Sequence, residues 1–70
     1  MFERLKLLRN DKDLDQQDLA NFLGVVQQTY SRYESGEISI TAEAIVKLST
    51  FYGVSTDYLL GLTNNPKRNY

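Results

Sequence analysis

The apolar and polar positions of this chain resolve into five short helical segments, separated by glycines and turn-forming polar residues. Phe2, Leu5 and Leu8 recur at three-residue spacing. They predict a first helix over about residues 2–11, with an apolar stripe and a basic outer face. Asp13 and Leu14 lead to Asp15, a good N-cap, and Asp18 three residues on makes a near relative of the capping box. A second helix follows from Gln16 to Leu23 and buries Leu19, Ala20 and Leu23. Gly24 and Val25 form the break. A third helix runs from Val26 to Ser35 and stops at Gly36, a residue suited to left-handed helix closure. After a loop over residues 37–40, Thr41 caps a fourth helix that buries Ile45, Leu48 and Tyr52 and ends at Gly53. Glu43 lies in its first turn, where the helix dipole favours an acid. Ser55 caps a short fifth helix carrying Asp57, Tyr58, Leu59 and Leu60 before Gly61.

Helices this short do not stand alone in water. The expected fold class is therefore all-α, a compact five-helix bundle around Leu5, Leu8, Leu19, Leu23, Tyr30, Ile45, Leu48 and Leu59. Strand patterns are almost absent. The domain is expected to span residues 1–62. Residues 63–70, which hold the single proline, Pro66, form a polar tail expected to fray unless a partner orders it.

Composition narrows the function by exclusion. Seventy residues make one domain, and a chain this short buries only about 60% of its unfolded surface, so its stability is marginal. Cysteine and histidine are both absent. Disulfides and thiolate metal sites are thereby excluded, and the usual general base and commonest metal ligand are missing. With no phosphate-binding glycine loop and no convergent acidic pair, the expectation is no enzyme, no metal, no cofactor and no small-molecule ligand. The apolar runs fall far short of the roughly 20 residues of a membrane span, and Met1 opens no signal-peptide pattern.

The formal charge of −1 does not by itself favour a nucleic-acid partner, because DNA-binding domains are usually basic. Its distribution says more. Arg4, Lys6, Arg9 and Lys12 face only Glu3 and Asp11 in the first twelve residues, whereas residues 13–31 carry Asp13, Asp15 and Asp18 and no basic residue. DNA affinity would have to lean on amides, hydroxyls and backbone N–H groups.

The third helix offers such groups. With Gln27 at zero on a helical wheel, Ser31 falls near about 40°, Ser35 near 80°, Gln28 near 100° and Arg32 near 140°. The opposite arc holds Thr29, Tyr33, Val26 and Tyr30. One side is apolar and aromatic; the other presents two amides, two hydroxyls and a guanidinium. Gln amides match adenine N6 and N7, and an Arg fork matches guanine O6 and N7, each good pair giving roughly 1–3 kcal/mol of discrimination. Taken alone, Gln27 and Gln28 read better as soluble helix formers.

The preceding helix changes that balance. Ala20 lets two helices cross closely, Gly24 permits the turn, and Tyr30 returns the next helix to the core. This order resembles the helix-turn-helix of the phage repressor and Cro family. The resemblance spans Arg4-Leu5-Lys6-Leu7-Leu8-Arg9, Gln16-Gln17-Asp18-Leu19-Ala20, Leu23-Gly24-Val25 and Thr29-Tyr30-Ser31-Arg32-Tyr33-Glu34-Ser35-Gly36. It continues through Leu48 and Tyr52-Gly53-Val54-Ser55 to Asp57-Tyr58-Leu59-Leu60-Gly61. It implies a lambda-repressor-like bundle whose third helix lies in the major groove.

On that resemblance Gln27 and Gln28 become the leading base readers, with Ser31 and Arg32 beside them. Gln16 is expected to bond a phosphate and to brace Gln27, and Ser35 and Ser39 are weaker phosphate candidates. The family commonly joins Arg9 and Glu34 in a partly buried ion pair; a phosphate contact is the alternative for Arg9. Tyr30, Tyr33, Tyr52 and Tyr58 are assigned to packing, with Phe22 and Phe51 partly exposed and available to a partner. The implied function is transcriptional regulation, most often repression. A homodimer would place two copies of the third helix on a pseudo-palindromic operator in double-stranded DNA, in the bacterial cytoplasm at the nucleoid. Its contacts would involve Tyr58, Leu59, Leu62 and the tail. The chain fits either a complete minimal regulator or a piece of a longer one. The rival is an antitoxin-like protein-interaction module whose acidic second helix meets a basic protein, supported by a pI near 5.2.

Three positions depart from the family pattern. Val26 stands where a capping Ser or Thr is usual, so a DNA phosphate is the expected substitute cap. Asp13 replaces a turn glycine, which Asp tolerates better than most residues. Glu37 and Ile38 replace basic residues in the loop after the third helix. With so few cations, the log–log dependence of DNA affinity on salt is expected to be shallow. Titrations over a salt series should give a slope no steeper than about −6, and a steeper one contradicts the reading.

Overall fold

The computed structural model describes residues 3–68. Phe2, assigned above to the first helix, and the last two tail positions lie outside the described residues. The elements are α1 (Glu3–Asp11), α2 (Gln16–Leu23), α3 (Gln27–Ser35), α4 (Ala42–Tyr52) and α5 (Thr56–Leu59). Among the described residues there is no strand, and no helix is long and apolar enough to cross a membrane.

Local chemistry fixes where these helices begin. Asp15 accepts from the Asp18 N–H at 2.9 Å, while its own N–H donates to the Asp18 carboxylate at 3.0 Å. That reciprocal pair starts α2. The Thr41 hydroxyl accepts from the Ala44 N–H at 3.1 Å, and the Ser55 hydroxyl from the Tyr58 N–H at 3.0 Å. Each such cap stabilises its helix by about 1 kcal/mol. α3 has none: Val26 occupies its cap position without a side-chain hydrogen bond.

The helix ends follow one scheme. At the close of α2 the Val25 N–H donates to Ala20 O at 3.0 Å and the Gly24 N–H to Asn21 O at 3.2 Å, the paired bonds of a Schellman closure. Gly24 takes φ 74°. A side chain there would meet nothing within 4 Å, so backbone conformation, not space, requires the glycine. α1 closes the same way without one. The Leu14 N–H donates to Arg9 O at 3.1 Å and the Asp13 N–H to Asn10 O at 3.0 Å, with Asp13 at φ 55°.

α2 packs most extensively on α3, α1 packs on α3 and α5, and α4 packs on α5. The core is Leu5, Leu19, Ala20, Tyr30, Tyr33, Leu48, Val54 and Leu59. Fully burying one of these leucines contributes about 1.5–3 kcal/mol. Ala20 is completely buried, as a close α2–α3 crossing demands. Leu8, Leu23 and Ile45, expected in the core, are only partly buried and pack against its rim. Val54 takes a central place because the closure of α4 bonds its N–H to Ser49 O at 3.0 Å and turns its side chain inward.

Two further expectations about the fold require correction. Val26 was assigned to the buried arc of the third helix, but it is 66% exposed. Its backbone is extended (φ −75°, ψ 154°), so it precedes the helix and the wheel does not apply to it. The tail, expected to fray, folds back onto the bundle through residue 66. The Ser55 N–H donates to Pro66 O at 3.0 Å, and Arg4 Nη1 donates to Tyr58 O at 3.0 Å and Thr63 O at 3.3 Å. The Arg4 guanidinium also lies 3.9 Å from the centroid of the Tyr58 ring.

Val26 supplies a test of the capping argument. Val26→Thr keeps the extended backbone and adds an acceptor for the uncapped N–H groups of α3. Stability should rise by about 1 kcal/mol, and the melting temperature by about 4–8 °C in a circular-dichroism melt.

Candidate nucleic-acid interface

The Schellman closure at Gly24 turns the chain directly from α2 into α3. Tyr30 and Tyr33 are buried beneath α3, and they fix its rotation about its own axis. Gln27, Gln28 and Arg32 are consequently exposed, and Ser31 is half-buried at the edge of the same face. The first turn of α3 thus presents two amides together with the uncapped N–H groups of Gln27 and Gln28. Arg32 is less free than the sequence alone suggests: its Nε lies 3.6 Å from the Glu37 carboxylate, with half of its side chain exposed.

Behind this face Arg9 and Glu34 meet. Arg9 Nε donates to Glu34 Oε2 at 2.7 Å and Nη2 to Oε1 at 3.1 Å, while Nη1 donates to Leu14 O at 3.0 Å. The two side chains are 11% and 6% exposed. All three guanidinium nitrogens are engaged within the fold, which disfavours the phosphate alternative for Arg9. Gln16 Nε2 also donates to Glu34 Oε1, at 3.2 Å. The expected bracing of Gln27 by Gln16 is therefore replaced by a brace to Glu34, because the start of α2 sits over the C-terminal half of α3. The Gln16 carbonyl oxygen has no such partner among the described residues.

The surroundings set the protonation states. Burial alone would push the Glu34 carboxyl up, but the hydrogen bonds from Arg9 and the Gln16 amide, together with the nearby Tyr30 hydroxyl, outweigh it and hold the group below the usual carboxylate range. The bond to Glu34 raises Arg9 further above its ordinary value, against the opposing effect of burial. Burial raises the Tyr30 hydroxyl strongly and pushes the Tyr52 hydroxyl up to about 12. Both phenols therefore stay neutral beside the carboxylate.

An open cleft of about 300 Å³ lies between α1, α2 and α3, lined by Lys6, Arg9, Gln16, Ser31, Glu34 and Ser35. It gathers Gln16, Ser31 and Ser35 from the sequence-predicted contacts and adds Lys6. The sequence reading counts Lys6 only within the basic face of α1. Its position one helical turn before Arg9 was the available signal, since residues three apart share a helix face. Ser35 is partly committed: its hydroxyl donates to Arg32 O at 3.1 Å and accepts from the Glu37 N–H at 3.3 Å. Ser39 is exposed in the following loop and does not line the cleft.

A helix-turn-helix family model matches residues 5–59. The chain belongs to the helix-turn-helix family of phage repressor and Cro type. This helix-turn-helix protein is 47% identical to the SPbeta prophage-derived uncharacterized HTH-type transcriptional regulator YonR of Bacillus subtilis, over 83% of this chain and 54% of the relative. It is 43% identical to the cryptic phage CTXphi transcriptional repressor RstR of Vibrio cholerae, over 73% of this chain and 46% of the relative. With the HTH-type transcriptional regulator ImmR of Bacillus subtilis the identity is 36%, over 96% of this chain and 53% of the relative. The chain thus spans about half the length of the curated relatives it matches. No solved structure matches at a significant level.

The buried pair of this helix-turn-helix protein has a direct consequence for stability. Glu34→Ala leaves Arg9 buried without its counter-charge, and urea denaturation should show a loss of about 3–5 kcal/mol. Because the folded-state pKa of Glu34 is depressed, its contribution is fully present above the unfolded value of about 4.3 and is lost as pH falls through the lower folded value. The wild type should lose stability through that acid window, and Glu34→Gln should flatten that part of the profile. An unchanged profile in the variant contradicts the assignment.

Proposed function

We propose that this chain binds double-stranded DNA sequence-specifically as a transcriptional regulator, acting as a repressor, with α3 lying in the major groove. One observation carries the reading. Gln27 and Gln28 stand exposed on the first turn of α3 while Tyr30 and Tyr33 lock the same helix into the core. Two amides held this rigidly suit bidentate bonding to adenine edges. The uncapped N–H groups beside them suit a backbone phosphate, which would also supply the acceptor that Val26 lacks. Ser31 and Arg32 extend the reading face, Arg32 having to exchange Glu37 for a base. Gln16, Ser35 and Ser39 are the phosphate contacts. Family membership and the regulators and repressors among the relatives support the same function.

A single α3 covers only a few base pairs, so the functional unit we propose is a homodimer on a pseudo-palindromic operator, with the two copies of α3 one helical turn apart. Its setting is the bacterial cytoplasm, at the nucleoid. No chemistry beyond binding is needed, and the role we assign is not enzymatic.

One observation favours a second reading, a protein-interaction module. Phe22 and Phe51 are 43% and 40% exposed and touch at a ring-centroid distance of 4.9 Å, beside an α2 that carries the exposed acid Asp18 and no basic residue. The same experiment separates the two. Selection from a random duplex library should enrich a palindromic site, and Gln27→Ala/Gln28→Ala should abolish that enrichment with an unchanged melting temperature. Enrichment of no duplex by the wild type decides for the protein partner.

A further inference from the structure

We propose that the cleft between α1, α2 and α3 is a socket for one DNA backbone phosphate, with Lys6 as the cation that neutralises it. This inference rests on the DNA-binding reading above and assigns to the interface a charged contact that α2 and the first turn of α3 do not contain.

The argument begins with charge. Lys6, Arg9 and Glu34 are the charged residues lining the cleft. Arg9 and Glu34 are bonded to each other through two hydrogen bonds, and the third guanidinium nitrogen is held by Leu14 O. Their charges cancel locally, and each of the three guanidinium nitrogens already donates one bond within the fold. Lys6 is exposed and makes no ion pair among the described residues. The cleft therefore keeps a net charge of +1, carried by an ammonium whose three donors are available. An ammonium on a flexible four-carbon stem serves phosphate as a point charge and tolerates small changes of register.

The neutral groups of the cleft complete the socket. Gln16 gives one Nε2 hydrogen to Glu34 from the first turn of α2, which fixes its position at the mouth, and keeps the second for a phosphate oxygen. The Ser31 hydroxyl projects from the second turn of α3 and enters no hydrogen bond with another described side chain or backbone group. Ser31 lies four residues after Gln27 and hence on the same side of α3. The cleft is thus continuous with the proposed base-reading face. A duplex seated on Gln27 and Gln28 brings its sugar–phosphate strand past the mouth of the cleft. Lys6 sits on α1, outside the helix-turn-helix unit itself. Through it the first helix would contribute to affinity without contributing to sequence choice.

The test uses the full chain, the duplex enriched from a random library and a scrambled duplex of equal length, each titrated over a series of salt concentrations. Lys6→Gln should weaken both duplexes about tenfold and make the log–log salt slope shallower by about 0.9, the release expected from one lost phosphate contact on B-DNA. The preference between the two duplexes should be unchanged, and Lys6→Arg should restore affinity and slope. Lys47→Gln, an equal change of charge on α4, should leave the slope unaltered. If the wild type selects a duplex and Lys6→Gln leaves the slope where it was, the socket is wrong and the DNA-binding reading stands. An equal change of slope in Lys47→Gln assigns the effect to overall charge and also overturns the socket. If the wild type selects no duplex, both fall together.

Discussion

Arg9 reaches across from the first helix and grips the Glu34 carboxylate with two parallel hydrogen bonds, while its remaining nitrogen holds the carbonyl of Leu14. Three otherwise separate pieces of chain meet on that one contact: the end of α1, the turn that leads into α2, and the second half of α3. Gln16 joins the same carboxylate from the start of α2. A buried charge pair is a weak source of net stability, because desolvation consumes much of the Coulombic gain. Its value here is geometric. A carboxylate that is costly to leave unpaired admits few rotations of α3, and the admissible one places Tyr30 and Tyr33 beneath the helix and the two glutamines above it.

That constraint links folding to the proposed recognition of DNA. Hydrogen bonds to base edges demand placement within a few tenths of an ångström, which a nine-residue helix cannot supply by itself, since isolated helices of this length are marginal in water. The tertiary contacts supply it. Tyr30 and Leu19 fill the interface between α2 and α3, Ala20 removes the bulk that would hold them apart, and the ion pair fixes rotation. The surface left over is nearly neutral. Such a face would rely on directional bonds more than on the diffuse attraction that basic proteins feel for nucleic acid.

The parts of this architecture that were legible in the sequence are those with local causes. The Asp15–Asp18 reciprocity, the Thr41 and Ser55 caps and the closures at Gly24 and Gly36 each involve residues a few positions apart, so the residue types announce the geometry. Asp13 in the left-handed region was legible through the family resemblance, as the stand-in for a turn glycine. The misplacement of Val26 came from extending a helical wheel one residue past the point where the backbone turns extended. The brace from Gln16 was assigned to Gln27 instead of Glu34 because spacing along the chain carries no information about how two helices are rotated against each other. Lys6 was visible as a charge, but its place in a cleft depends on how three helices pack. The relation between Arg9 and Glu34 was legible only through family resemblance, since no local pattern connects them.

Arg4 draws together the two extremities of the described chain. It binds carbonyls of Tyr58 and Thr63 and rests on the Tyr58 ring, while Pro66 returns to Ser55. α5 has only four residues, and these contacts add to the support it takes from α4 and the core. Loosening α1 would remove the clasp on α5, and loosening α5 would strip α1 of one wall. Each extremity therefore loses part of its support when the other opens. The two ends of the described bundle are thereby tied together, and loss of order at one strips contacts from the other.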